Sequence, residues 1–411
     1  MRANDRLRMS FDSLDKHFCI QKVDSAISMV ERLIDSDYPH RDSQKALKRI
    51  LAVYEKDRDL LHSIDASIAQ DTVLEHCRRV NFNLVRFKAF LGLLLRSSNI
   101  RNAFELYFPI KILSLELLEQ PTAVVLSSEW SFSPYTYPVA LAELPEFIFI
   151  GIPASESQNP LILPLAGHEL GHVVWRRKGA KKEFDAIIRA EIIRLYKKNW
   201  EQARRRFDQF PERPDQLETD LFLLRIWGES YKLAQRQLEE VFCDCVGLYV
   251  FGQSFLHSFR YLVAPSLGYN RAPNYPSLQA RARYMMEYGK TLGLKEIPAY
   301  ANSFSEQKTT LAPGEAFILE MADETTNNLY GRLPEMVEKY RGRAESFREG
   351  TNDEPRVKRS LLNCVPAASV ASMTAVVNAA WDIRIEIDDW DILRDVEDTA
   401  KRQKERLRGA A

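Results

Sequence analysis

Apolar residues recur every three or four positions over much of the first 120 residues, for example in 25–34, 43–53 and 80–95. This spacing puts apolar side chains on one face of a helix, so it predicts a helical region over 1–120. The run RFKAFLGLLLR, at 86–96, also has basic residues at both ends, as helices on membrane surfaces do. We favour a helix that packs on the core and has a solvated charged rim, which is the commoner arrangement.

The pattern changes after residue 120, where β-branched and aromatic residues replace the helical spacing. Residues 121–128 and 146–152 predict two strands, and a loop rich in Ser, Asn and Pro follows at 153–160. Two apolar helices are predicted next, over 161–175 and 220–251. Between and after them the chain returns to charged helical patterns. These lie at 181–207, 314–347 and 356–384, and a charged helix is predicted at 394–408.

These elements predict an α+β fold that is predominantly helical, with a small mixed sheet. We expect three regions: a helical N-terminal region at 1–120, a core at 121–290 that combines the strands with the apolar helices, and a helical C-terminal region at 291–411.

The chain has 57 basic and 57 acidic residues among 411, so its formal net charge is zero. This balance argues against a partner that is a nucleic acid or an anionic membrane. Five scattered cysteines do not suggest a disulfide framework and favour a reducing compartment. No apolar stretch approaches the roughly 20 residues of a membrane span, and the N-terminus has no apolar signal segment. We therefore expect a cytoplasmic protein.

Candidate chemistry is concentrated in the segment LAGHELGHVVW, at 165–175. On a helix, His168 and His172 lie about 40° apart and one turn along the axis, so both imidazoles can reach one ion. Glu169 lies about 60° from His172, where a carboxylate can act as general base beside a metal-bound water. The alternative is a pair of satisfied core histidines. We favour the metal, because chance matches to this motif should number on the order of 0.01 in such a chain.

A catalytic zinc usually has three protein ligands. The position six residues after His172 is Lys178, and the remaining histidines are isolated in the sequence. Glu240 and Asp244 instead share one face of the second apolar helix. An ordinary salt bridge to an arginine is one interpretation of this pair. We favour Glu240 as a Zn²⁺ ligand and Asp244 as the partner of a ligating histidine.

The helix also carries Glu239, Cys243 and Cys245, for which the helical geometry predicts other positions. Glu239 points about 100° away from Glu240, so we expect it nearer solvent. Cys243 and Cys245 point about 160° apart and cannot share an ion, so we expect small buried residues and no thiolate site.

The two motifs together resemble the gluzincin metallopeptidases, in which H-E-x-x-H is followed by E-x-x-x-D on a later helix. The similarity covers about 145–285, includes Gly247, and extends to uncharacterised bacterial gluzincin-like proteins, which have a histidine where Tyr275 stands here. The segment FIFIGIP, at 147–153, is similar to the edge strand that precedes the active-site helix in that group. The resemblance therefore implies a zincin-like core and a peptide held by strand addition.

By this resemblance, His168, His172 and Glu240 would hold Zn²⁺ and Glu169 would be the general base of a metallopeptidase, more in the manner of an endopeptidase than an exopeptidase. The substrate would be a peptide or protein. An oxyanion donor is also needed, but we expect Tyr269, Tyr275 and Arg281 to be structural.

Two other hypotheses stay open. One is a non-catalytic metal-binding scaffold that acts as a sensing or protein-interaction module through its helical flanks. The other is a structural helical protein in which the motif is accidental. The intact Glu169 favours the enzyme over a scaffold that has lost catalysis.

Overall fold

The computed structural model describes residues 11–65, 68–98, 104–130, 134–137, 142–156, 159–207, 210–264, 271–304, 306, 310–344, 353–367, 372–387 and 399. Within them the fold is predominantly helical with a small mixed sheet of three strands, which confirms the predicted class at that level. The helices and strands, in chain order, are α1 (Phe11–Ile34), α2 (Arg41–Ser63), α3 (Gln70–Ser97), α4 (Phe104–Leu118), β1 (Ala123–Glu129), β2 (Tyr135–Thr136), β3 (Phe147–Pro153), α5 (Leu165–Arg177), α6 (Ala180–Lys198), α7 (Trp200–Arg206), α8 (Leu221–Phe251), α9 (Gln253–Val263), α10 (Leu278–Thr291), α11 (Pro313–Leu329), α12 (Leu333–Tyr340), α13 (Glu354–Leu362) and α14 (Met373–Glu386).

The first of two compact units comprises residues 1–104, 122–131 and 137–157. Helices α1, α2 and α3 pack on one another, and β1 pairs in parallel with β3 from Ala123 opposite Phe147 to Glu129 opposite Pro153. All seven residues of β3 are buried, as continuous apolar strands of parallel sheets are. The expectation that this segment is an exposed edge strand, open to an added peptide strand, is therefore wrong.

The second unit comprises residues 105–121, 132–136 and 158–411, and α8 lies at its centre. Every residue of α8 from 237 to 251 is buried except Glu239. A Cβ atom on Gly171 would lie 2.8 Å from Cys243 Cα, and one on Gly167 would lie 2.9 Å from Gly247 Cα. Real side chains do not tolerate such distances, so these glycines let α5 and α8 approach closely enough to face each other's polar groups.

The apolar helices predicted at 161–175 and 220–251 are confirmed as α5 and α8. The charged helix predicted at 394–408 and Tyr269 lie outside the described residues. None of the helices that the structure describes is both long enough and apolar enough to cross a membrane.

Candidate metal centre

Helix α5 brings His168, Glu169 and His172 to one buried position. The two imidazole rings lie one turn apart with their centroids separated by 5.0 Å. Glu169 and His172 are only 6% and 7% exposed. The helix ends at Arg177, and Gly179 follows with a φ of +90°, a left-handed conformation that suits glycine after a helix end.

Helix α8 places Glu240 opposite both histidines. His168 Nε2 lies 3.3 Å from Glu240 Oε2, and His172 Nε2 lies 3.7 Å from Glu240 Oε1. The Glu240 side chain is 2% exposed. The structure thus brings together the three residues predicted as metal ligands, with both Nε2 atoms directed at one carboxylate.

The outer nitrogen of His168 is held by a second carboxylate. His168 Nδ1 lies 2.8 Å from Asp244 Oδ1, as expected for the partner of a ligating histidine. Arg281, on α10, donates to both oxygens of Asp244, from Nε at 2.8 Å and from Nη2 at 2.7 Å. We call His168, Asp244 and Arg281 the Asp244 arm. The side chains of Asp244 and Arg281 are 1% and 9% exposed, so Arg281 holds Asp244 in place, and Arg281 Nη1 lies a further 3.9 Å from Glu240 Oε2.

A parallel set of contacts holds His172. Its Nδ1 lies 2.8 Å from Glu239 Oε1, and Arg236 Nη1 lies 3.0 Å from the same oxygen. We call His172, Glu239 and Arg236 the Glu239 arm. The Glu239 side chain is 12% exposed against 2% for Glu240, so it lies nearer solvent as expected, but its contact with His172 was not predicted. Glu239 and Glu240 both contact histidines of α5. The two helices pack so closely at Gly167 and Gly171 that side chains from two adjacent positions of α8 reach α5.

The charged groups of the centre shift one another's pKa values. Burial by itself lowers the pKa of His168, but hydrogen bonds to Asp244 and Glu240 outweigh burial and raise that pKa to about 10. Burial opposes ionisation of Glu240 and Asp244, yet the neighbouring histidines and Arg281 hold both pKa values below their usual range. His168 must release its proton to bind a metal, so metal binding is linked to proton release.

Cys243 is a further candidate ligand. Its sulfur and one ring nitrogen each of His168 and His172 lie within 4.8 Å of one another. The expectation that no thiol contributes to a metal site stays a prediction, and Cys243 and Cys245 are both buried as predicted. Burial raises the pKa of the Cys243 thiol well above its usual value, so a neutral thiol is favoured without an ion.

Two buried carboxylate oxygens of the centre have no hydrogen-bond partner and are available to a metal ion or its bound water. Glu169 Oε2 is buried and has no hydrogen-bond partner. Glu240 Oε1 also lacks a hydrogen bond, because Arg236 Nη2 lies 2.9 Å away at an ion-pair distance without hydrogen-bond geometry. Two imidazoles, one carboxylate and orphaned buried oxygens fit a zinc ion and its bound water.

A cavity of about 260 Å³ opens onto these residues. Its polar wall contains His168, Glu169, Arg236, Tyr275 and Arg281. Its apolar wall is formed by Pro134, Leu165, Phe259, Leu262 and Val263. From β2, Thr136 Oγ1 donates to the main-chain carbonyl of Glu169 at 2.9 Å, so this strand borders the base.

Sequence reasoning missed Arg236, although its signal was present. Arg236 stands three residues before Glu239 and four before Glu240, the spacings at which helical side chains meet.

No family model, curated protein or solved structure matches this chain.

Proposed function

We propose that this protein is a zinc-dependent metallopeptidase of gluzincin type with a zincin-like core. The observation that carries the proposal is the convergence of both histidine Nε2 atoms on Glu240 while each Nδ1 is held by its own carboxylate. A histidine fixed in this tautomer presents its Nε2 lone pair to a metal, and the carboxylate raises its basicity.

Zinc bound to this set would supply an activated water and would polarise the substrate carbonyl. Glu169 is the residue that moves the proton. Its Oε2 is free of hydrogen bonds, so it accepts a proton from the attacking water and returns it to the leaving amine. Thr136 restrains the main chain at Glu169, which keeps the carboxylate aimed into the cavity.

The substrate class that suits this chemistry is a peptide or protein. The cavity contains both a polar wall with the candidate base and an apolar wall that can exclude water around a peptide bond. An endopeptidase is favoured over an exopeptidase, as the resemblance implies.

The first test combines metal content with the loss of the base. Purified wild type should contain about one zinc per chain, and His168→Ala should lose it. Glu169→Gln should keep zinc but lose about 10²–10⁴-fold in cleavage rate, followed by mass spectrometry on a library of denatured-protein peptides. Glu229→Gln, a change of an exposed carboxylate on α8, is the matched control and should cleave normally. Cleavage that survives Glu169→Gln with zinc bound contradicts the proposal.

The third ligand can be assigned separately. Glu240→Ala should abolish stoichiometric zinc, whereas Cys243→Ala should retain it. Cobalt-substituted wild type should show no thiolate-to-metal charge-transfer band, and a band that disappears in Cys243→Ala would assign the ligand to sulfur instead.

The second candidate function is a non-catalytic metal-binding module. It is favoured by the ion pair between Arg236 and Glu240, which places a cation against the candidate third ligand. Bound zinc with no cleavage of any library peptide, and a cellular phenotype equal in wild type and Glu169→Gln, would support this candidate.

A further inference from the structure

The two arginines of the centre differ in what they present to the cavity. Arg281 also lines the cavity, but it donates from Nε and Nη2 to Asp244, its Nη1 lies 3.9 Å from Glu240 Oε2, and its side chain is only 9% exposed. The Arg236 side chain is 35% exposed and lines the cavity beside His168 and Glu169. Of the two arginines that line the cavity, Arg236 is therefore the more accessible to a molecule that enters it.

Arg236 also has donor capacity left over. A guanidinium carries five N–H groups. The two ion pairs use Nη1 towards Glu239 and Nη2 towards Glu240, so at least three N–H groups are not engaged in them. Guanidinium groups match carboxylates in shape and can bind them through two parallel hydrogen bonds.

The cavity walls strengthen a charge pair at this position. Leu165, Phe259, Leu262 and Val263 supply apolar surface and lower the local polarity. The fixed charges do not oppose an anion, because Arg281 offsets Asp244, Arg236 offsets Glu239, and a divalent metal would offset Glu169 and Glu240.

We propose that Arg236 is the specificity-determining residue of this site and that it binds a carboxylate of the substrate. The inference rests on the proposed function and names its substrate class: peptides with a carboxylate close to the cleaved bond. That carboxylate is the side chain of Asp or Glu in the endopeptidase favoured above, or the C-terminal group if the enzyme is an exopeptidase, and the two sources share the same chemistry.

The test compares substrates that differ only in charge. Cleaved peptides from the library are resynthesised as the free acid, as the C-terminal amide, and with Asp or Glu replaced by Asn or Gln. Wild type should prefer the acid over its neutral counterpart by about 10- to 100-fold in kcat/KM. Loss of preference with the amide assigns the C-terminal carboxylate, and loss with Asn or Gln assigns the side chain.

The variants separate binding from support of Glu239. Arg236→Gln should reduce the acid preference to about twofold or less, whereas Arg236→Lys should retain part of it, because the charge stays but the fork is lost. A residue that only supported Glu239 would slow acid and neutral substrates equally and leave the ratio unchanged. Arg225→Gln, at an exposed position on the same helix, is the control and should keep the wild-type ratio.

A binding measurement keeps the inference distinct from the peptidase activity. Calorimetry on Glu169→Gln, with and without zinc, should show tighter binding of acid than of neutral peptides, and the Arg236→Gln change should remove the difference. Equal binding and equal cleavage of acid and neutral peptides overturn the inference while peptidase activity stands. Acid-selective binding without any cleavage would support Arg236 but contradict the proposed function.

Discussion

The Asp244 arm and the Glu239 arm make the same chain of contacts in different surroundings. In each, an arginine holds a carboxylate and the carboxylate holds the Nδ1 of a histidine. The Asp244 arm is closed, with two hydrogen bonds from Arg281 to a carboxylate that is 1% exposed. The Glu239 arm ends in an arginine that is 35% exposed at the cavity. Burial thus makes one arm a structural support and leaves the other able to meet a ligand.

The largest expected difference between the arms is in stability. Asp244→Ala should leave the buried Arg281 without its two hydrogen bonds and with only the more distant Glu240, at 3.9 Å, as an acidic partner, and so lower the free energy of unfolding by about 3–5 kcal/mol. Glu239→Ala should cost about 1–2 kcal/mol, because Arg236 can turn towards water. Urea unfolding of both variants in the presence of a chelator measures the difference without a contribution from metal. Equal losses would show that burial does not distinguish the arms.

His257 belongs to neither arm and provides the second comparison. His257 packs near Trp381, and burial lowers its pKa to about 4, with a smaller opposite effect from Asp382. The unfolded chain binds this proton at a pKa of about 6.5, before the folded protein does. Stability should therefore fall as the pH drops from about 6.5 to 4, by at most about 3 kcal/mol.

The measurement is the pH dependence of unfolding for wild type and His257→Gln, which should lack this part of the acid slope. The exposed His62→Gln serves as the control and should follow wild type. An acid slope that is unchanged in His257→Gln would assign the loss to other groups.

The smallest expected effects come from glycine substitutions that change how closely α5 and α8 pack. Gly171→Ala would place its Cβ 2.8 Å from Cys243 Cα, so α5 and α8 must separate, at a cost of about 1–3 kcal/mol. Gly228, on α8, has nothing within 4 Å of an added Cβ, so Gly228→Ala should stabilise the protein by about 0.5–1 kcal/mol. Thermal unfolding and zinc affinity check both variants. Zinc affinity should fall only in Gly171→Ala, and normal affinity there would show that the centre tolerates a wider helix separation.

Helical periodicity predicted α5 and α8 and the faces that carry His168, His172, Glu240 and Asp244, because these depend only on spacing within one element. It did not predict the contact of Glu239 with His172 or the position of Cys243 beside both histidines. The direction of a side chain on a single helix does not show how close the next helix lies. Here the close approach at the glycines of α5 lets both Glu239 and Cys243 of α8 reach its histidines. The segment 147–153 was correctly predicted as a strand, but its exposure depended on what covers it.

By itself, the sequence determined the residue types, the one-turn spacing of two histidines and the helix that carries a buried carboxylate pair, because local periodicity encodes them. Only the tertiary structure decided which carboxylate each histidine contacts, and which of the two cavity-lining arginines is nearly buried and which is partly exposed. These are distances between residues 67 and 76 positions apart, and they follow from how closely two helices pack.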